Sequence, residues 1–260
     1  MDLNLKGRVA LVTGSSRGIG YGIAKAFAAE GCDVHLAATN PDRLQTAAAE
    51  LSKTYGVKVT PHASDLTKLE NVEALAKAVG DVDILINNAG AIPRGKLSEV
   101  SPAAWRKGWD LKVFAYIDLA RYIFPGMCER KKGVIINVIG LAGERPVASS
   151  IAVSTANAAL MMFTACLGGE GARHGVRVLG VNPGPILSDR LLTGAKKNAI
   201  AKFGTEDRWP ELFHKLPIGR PGSVEEIADV VTFMASDRAS YVNGDVLRID
   251  AGLRVQDPGE

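Results

Sequence analysis

Cysteine is scarce: three residues in 260, Cys32, Cys128 and Cys166, far apart and in no CxxC pair. This excludes a disulfide framework and a cysteine-ligated zinc site, and implies thiols in a reducing compartment. An excess of one charge is also lacking. Thirty-one basic residues face 28 acidic ones, a net charge of +3 with the signs interspersed. That gives no reason to expect nucleic acid or an anionic membrane as partner. No apolar run approaches the roughly 18 residues of a membrane span. Met1 to Arg8 are polar and lead straight into a strand, with no signal-peptide pattern. No metal-ligating spacing, repeat or low-complexity tract occurs. The expectation is a cytoplasmic protein of one domain over residues 1–260, with hydrophobic residues (47%) enough for a large core.

What is present is alternation. Short β-branched runs (Val9–Thr13, Val34–Ala38, Val57–Thr60, Ile84–Asn87, Val134–Ile139, Val176–Val181, Val246–Ile249) alternate with helical stretches (Ile19–Ala29, Pro41–Lys53, Leu69–Val79, Pro102–Cys128, Ser150–Arg173, Val224–Ala235). Consecutive apolar residues mark parallel strands covered on both faces. The fold expected is α/β, a Rossmann-type doubly wound parallel sheet in three layers. Residues Ile186 to Gly222 depart from the rhythm and read as loops and short helices, an insertion over the ligand-binding edge. A short polar tail follows from Arg254.

The first strand runs into Thr13-Gly14-Ser15-Ser16-Arg17-Gly18-Ile19-Gly20 and then a helix. Glycines there permit a tight turn and close approach of backbone to a pyrophosphate, with the helix amides aimed at the phosphates. This GxxxGxG spacing is similar to that of the short-chain dehydrogenase/reductase family. Further marks in order are Ser64-Asp65-Leu66-Thr67, Asn87-Asn88-Ala89-Gly90, Asn182-Pro183-Gly184-Pro185-Ile186 with Ser188 in place of Thr, Tyr241-Val242-Asn243-Gly244 and Asp250-Ala251-Gly252. The resemblance implies dinucleotide contacts at Gly14, Ser16, Arg17, Gly18, Ile19, Gly20, Asp65, Leu66, Asn88, Ala89, Gly90, Asn157, Pro183, Gly184, Ile186 and Ser188. It also implies a small-molecule substrate and a homodimer or homotetramer built through the helices of residues 102–128 and 150–173 and the last strand.

Cofactor choice turns on Ala37-Ala38-Thr39-Asn40. An Asp or Glu at this point selects NAD by chelating ribose hydroxyls. Ala38 stands there, so nothing repels a 2′-phosphate, with Arg17 and Thr39 nearby to bind one. NADP is expected over NAD; Arg17 packing over the adenine, which NAD also permits, is the alternative.

In the family a Tyr and a Lys four residues apart, a Ser 13 residues before the Tyr, and an Asn on the preceding helix carry catalysis. Gly143 and Ala158-Ala159-Leu160 anchor the alignment, which places Gly140 at the Ser position, Val153 at the Tyr position, Asn157 at the Lys position and Asp110 at the Asn position. No Tyr lies between Tyr122 and Tyr241, and no Lys between Lys132 and Lys196. Substitute groups are Asp110, Ser150 and Asn157; Ser150, Ser154 and Asn157 share a helix face, although Ser150 also suits an N-cap. Glu144 and Arg145 fall near the expected substrate end. Among the histidines His35, His62 and His174 should not face the nicotinamide, and His214, beside Trp209 and Phe213, is one a lid would bring in. Arg190, Lys196, Lys197, Lys202 and Arg208 suit either an anionic substrate or a solvated face. Three functions stay open: an oxidoreductase acting on a small carbonyl or alcohol with an atypical proton donor, a silent cofactor-binding subunit, and a non-redox lyase or isomerase.

Overall fold

In the computed structural model, which describes residues 1–256, seven parallel strands form one sheet in the order β3-β2-β1-β4-β5-β6-β7. They are β1 (Val9–Thr13), β2 (Asp33–Ala38), β3 (Val59–Ala63), β4 (Ile84–Asn87), β5 (Gly133–Val138), β6 (Val176–Pro183) and β7 (Val246–Ile249). The chain leaves β1 toward one edge and returns through β4 toward the other, so the order reverses between β1 and β4. Crevices at such reversals are where these sheets bind ligands. The last residues of the polar tail, 257–260, lie outside the described residues.

The helices are α1 (Gly18–Ala29), α2 (Pro41–Tyr55), α3 (Leu69–Val79), α4 (Pro102–Trp109), α5 (Ala115–Glu129), α6 (Ile151–Ala172), α7 (Asp189–Phe203) and α8 (Val224–Ala235). Alternate side chains of β1 divide between two cores. Ala10 and Val12 meet Ile23, Phe27 and Ile227 of α1 and α8, while Leu11 meets Leu75, Leu119 and Met127 of α3 and α5. Both faces of the sheet are therefore buried, which is why its strands read as unbroken apolar runs.

Four expectations need correction. β3 begins at Val59 instead of Val57 and contains Pro61, tolerated because β3 is an edge strand whose N–H can go unpaired. The stretch 102–128 is two helices joined by a π-helical turn, Asp110–Phe114. The segment 186–222 holds a 15-residue helix, α7, capped by the Ser188 hydroxyl at its start and by left-handed Gly204 at its end. Only Ala195 and Ala199 of α7 are buried, so no broad apolar stripe announced it. Finally, α6 is apolar enough to match a membrane span, with a mean hydropathy of 1.6 over 18 residues. Its Ser, Thr, Asn and Gly interrupt the run to the eye while hardly lowering the average. Its buried side packs on the sheet, and Gly168 lets Gly244 approach to where a Cβ would stand only 2.6 Å from the Gly244 Cα.

Candidate active site

The site begins at the turn from β1 into α1. Gly14 and Gly18 have positive φ (65° and 60°), which other residues rarely adopt. Gly20 is required for space: a Cβ there would lie 2.4 Å from the Gly14 carbonyl oxygen and 2.5 Å from Asn88 Nδ2. Asn88 clamps the turn, its amide donating to the carbonyls of Thr13 (2.9 Å) and Gly14 (3.3 Å). The Thr13 hydroxyl in turn accepts from the Asn88 and Ala89 amides. The α1 N-cap, Arg17, makes no side-chain cap bond, so the first-turn amides keep donors for an outside acceptor.

The remaining expected cofactor positions line the same carboxyl edge of the sheet. Thr39 is exposed just beyond β2, and Asn40 caps α2. Asp65 follows β3, its carboxylate accepting from the Thr67 amide and hydroxyl, bonds that hold its pKa below the ordinary carboxylate value. Leu66 is buried beside it. Gly90 follows β4, Pro183 ends β6, and Gly184, Ile186 and Ser188 lead into α7. Ser16, Arg17, Gly18 and Ser188 also border a cavity of about 520 Å³ beside α1 and α2, with Ile19 next to them on α1.

Past β5 the backbone turns at Gly140, whose φ of 135° is glycine territory and whose amide donates to Asn182 Oδ1 at 3.1 Å. Asn157, on α6 and 2% exposed, donates from Nδ2 to the Gly140 carbonyl at 3.1 Å. Its Oδ1 is buried with no hydrogen-bond partner. Buried acceptors of this kind ordinarily have a partner; Asn87 Oδ1 and Tyr21 Oη are likewise without one. The glycine turn and the free first-turn amides of α1 fit the phosphates of a dinucleotide.

Ser150, Ser154 and Asn157 are all buried and share the inner face of α6. Ser150 does precede the helix, but its hydroxyl makes no cap bond. The Ser154 hydroxyl accepts from the Val147 amide at 3.4 Å. Asp110 opens the π turn, where its carbonyl accepts from the Ala115 amide. The neighbouring Trp109 Nε1 donates to the Ala152 carbonyl at 3.2 Å, drawing this turn toward the start of α6. Val153 packs with Trp105, Trp109 and Ile92, an apolar wall. Glu144 is already engaged: Arg248 and Arg254 (2.9 Å) pair with it and Asn182 donates to it at 2.7 Å. Arg145 donates to the Leu253 carbonyl at 2.8 Å. His35 and His62 bond each other across β2 and β3 at 2.8 Å, well away from β4 and β5. His214 is exposed, and Lys196 and Arg208 pair with Glu206 and Glu211, so part of the basic set is neutralised locally.

Sequence reasoning missed one pair. Lys112, in the π turn, donates from Nζ to the Tyr116 hydroxyl (2.9 Å) and the Val138 carbonyl (2.7 Å), and Tyr116 Oη donates to the same carbonyl (3.1 Å). Lys112 is 8% exposed and Tyr116 1%. Burial lowers the lysine pKa to about 7 and raises that of the tyrosine well above its ordinary value. The available signal was a lysine at helical spacing on the stripe that also carries Tyr116, Leu119 and Ile123.

A Rossmann-type sheet with a glycine-bordered phosphate turn at its first crossover defines a dinucleotide-binding α/β protein. The chain belongs to the short chain dehydrogenase family, whose profile matches residues 8–198. It is thus one of the NAD(P)-dependent short-chain oxidoreductases. It is 33% identical over 258 residues to the 3-oxoacyl-(acyl-carrier-protein) reductase FabG of Aquifex aeolicus, covering 97% of this chain and 100% of that protein. The FabG of Escherichia coli is 31% identical, over 96% of this chain and 99% of its own. L-Sorbose reductase of Gluconobacter frateurii, solved with NADPH and L-sorbose, superposes with a TM-score of 0.94 at 35% identity, covering 99% of this chain and 100% of that one.

Proposed function

We propose that the protein is an NADPH-preferring reductase of a small carbonyl substrate whose proton donor differs from the tyrosine usual in its family. The reading is carried by the buried, unpartnered Oδ1 of Asn157 at the heart of an otherwise complete cradle. An unmet buried acceptor costs about 1–3 kcal/mol, a cost that a donor supplied by a ligand would remove. Ala38 and Thr39 leave a 2′-phosphate unopposed at the end of β2, and Arg17 in the β1–α1 turn is exposed. Similarity to a 3-oxoacyl-(acyl-carrier-protein) reductase and an L-sorbose reductase supports a ketone substrate.

A bound nicotinamide dinucleotide supplies the hydride. The α1 amides would hold its phosphates, Asn88 keeps the turn shaped for them, and Asn157 would lie toward its nicotinamide ribose. Val153, Trp109 and Ile92 keep water from one side of the substrate. In this reading Gly140, Val153, Asn157 and Asp110 stand where the family has Ser, Tyr, Lys and Asn. A proton for the product oxygen then comes from Ser150, whose hydroxyl is uncommitted, or through water held at Asp110. Loss of a positioned acid lowers rates by about 10²–10⁴, so slow turnover is expected.

The decisive experiment titrates the protein with NADPH and NADH, then measures NADPH oxidation with 3-oxoacyl thioesters and ketoses. Turnover that disappears in Ser150→Ala or Asp110→Ala identifies the donor. Tight binding without turnover, unchanged when Gly140→Ser, Val153→Tyr and Asn157→Lys are combined, refutes the reading. It would favour instead a silent subunit, which the apolar wall at Val153 also supports. For assembly, α5 and α6 present Tyr122 and Met162 to solvent beside Phe114 of the π turn, and β7 presents Leu247, surfaces suited to a homodimer or homotetramer. The cytoplasm suits a protein with three free thiols.

A further inference from the structure

We propose that Lys112 is the cationic group of the dinucleotide site and makes it prefer the reduced, uncharged nicotinamide over the oxidised, positively charged one. This deepens the reading above and rests on it. Three observations support it.

The first is position. Lys112 Nζ bonds the Val138 carbonyl, two residues before Gly140, whose carbonyl takes the Asn157 amide. The π turn and α6 thus pack against each other and both reach the same end of β5. Lys112 also runs beneath Gly90 of the β4 loop: a Cβ on Gly90 would stand 2.7 Å from Lys112 Cδ and 3.4 Å from Nζ. A side chain at 90 would make the lysine stem shift, so this glycine leaves the lysine its place. The second is the lack of another candidate. α6 has Asn157 where an amine would be expected, and the sequence holds no lysine from 133 to 195.

The third is energetic. Lys112 is bonded to a hydroxyl and a carbonyl, and among the described residues no carboxylate pairs with it. A buried amine without a counter-charge is costly, and an apolar side chain of similar volume would serve packing better. Groups kept at such cost concentrate at functional sites. Two of its protons are used, and a third N–H is left for the site.

Charge then decides between ligands. An ammonium here repels a nicotinamidium ring and leaves the neutral dihydronicotinamide undisturbed. Tyr116 on α5 is the one titratable side chain bonded to Lys112. β4, β5 and α6 contribute to Lys112 no acid that bonds it, and Asp110 is the acid nearest on its own turn. Because burial sets the lysine to titrate at about 7, the discrimination weakens as pH rises past neutrality.

The test measures dissociation constants of NADPH and NADP⁺ by fluorescence and calorimetry from pH 6 to 9, for wild type, Lys112→Met and Tyr116→Phe, with circular dichroism to check folding. Wild type should bind NADPH more tightly than NADP⁺ at pH 6, by about tenfold or more, the order expected of one charge contact in a partly shielded site. The ratio should fall on going to pH 9. Lys112→Met should bring the ratio near its pH 9 value at every pH, and Tyr116→Phe should keep the preference. A folded Lys112→Met with an unchanged ratio and pH profile overturns the inference. If wild type binds neither dinucleotide, the reading of the site itself fails, a different result.

Discussion

Replacing Lys112 by Met should change how folding stability depends on pH, and by an amount the structure sets. The lysine pKa falls from 10.5 to about 7 on folding. The folded state therefore holds fewer protons than the unfolded chain between those values, and stability must rise with pH across that window. The slope is at most about 1.4 kcal/mol per pH unit, and the accumulated difference about 5 kcal/mol, an upper figure because water penetration softens such penalties. Below pH 7 the whole penalty is present; above 10.5 it is gone. Against this the variant loses two hydrogen bonds, about 1 kcal/mol each. Lys112→Met should thus be more stable than wild type at pH 6, by a few kcal/mol, and should lose that advantage by pH 10. Urea denaturation of both proteins at matched concentration and at unit pH steps gives the difference directly, with all other titrations cancelling. Parallel stability curves from pH 6 to 10 would refute the assignment of Lys112 as a buried, unpaired amine.

Three further outcomes are expected. Gly140→Ser alone should cost about 1–3 kcal/mol in thermal unfolding, because it imposes a side chain at φ 135° with its Cβ 3.0 Å from Asn157 Nδ2; a neutral change would mean that the β5 loop relaxes freely. Ala38→Asp should weaken NADPH binding by at least about tenfold and spare NADH, by placing a carboxylate against the 2′-phosphate; equal effects on both would displace the 2′-phosphate from this end of β2. Thiol reagents at neutral pH should label exposed Cys166 first and spare Cys32, which is buried and has its pKa raised to about 12, until the chain unfolds.

The sheet and its phosphate turn were legible because their physics is local. A parallel strand buried on both faces must be apolar throughout, and a turn that admits backbone against backbone must be glycine, as at Gly14 and Gly20. The π turn was not legible, since widening one turn changes hydrogen-bond partners without changing the apolar rhythm around Val113 and Ala115. α7 escaped because its two buried alanines leave almost no stripe. Lys112 was hidden for another reason. Its burial depends on Gly90 and Val138, which lie on other elements, and a lysine inside a helix ordinarily points to water. Asp110, Ser150 and Asn157 are candidates from alignment and helical spacing, but only coordinates separate the uncommitted Ser150 hydroxyl from the bonded Ser154.

The Glu144 network has a consequence for the order in which the chain matures. The loop after β5 is held by Asn182 on β6, by Arg248 on β7, and by Arg254 and the Leu253 carbonyl in the last described turn. During synthesis the β1–α1 turn and its Asn88 clamp emerge while most of the chain is still unmade, whereas the ties of Glu144 and Arg145 to Arg248, Leu253 and Arg254 wait for residues more than a hundred positions later. A nascent or C-terminally trimmed chain would therefore keep the β1–α1 turn and lack these ties on the loop after β5.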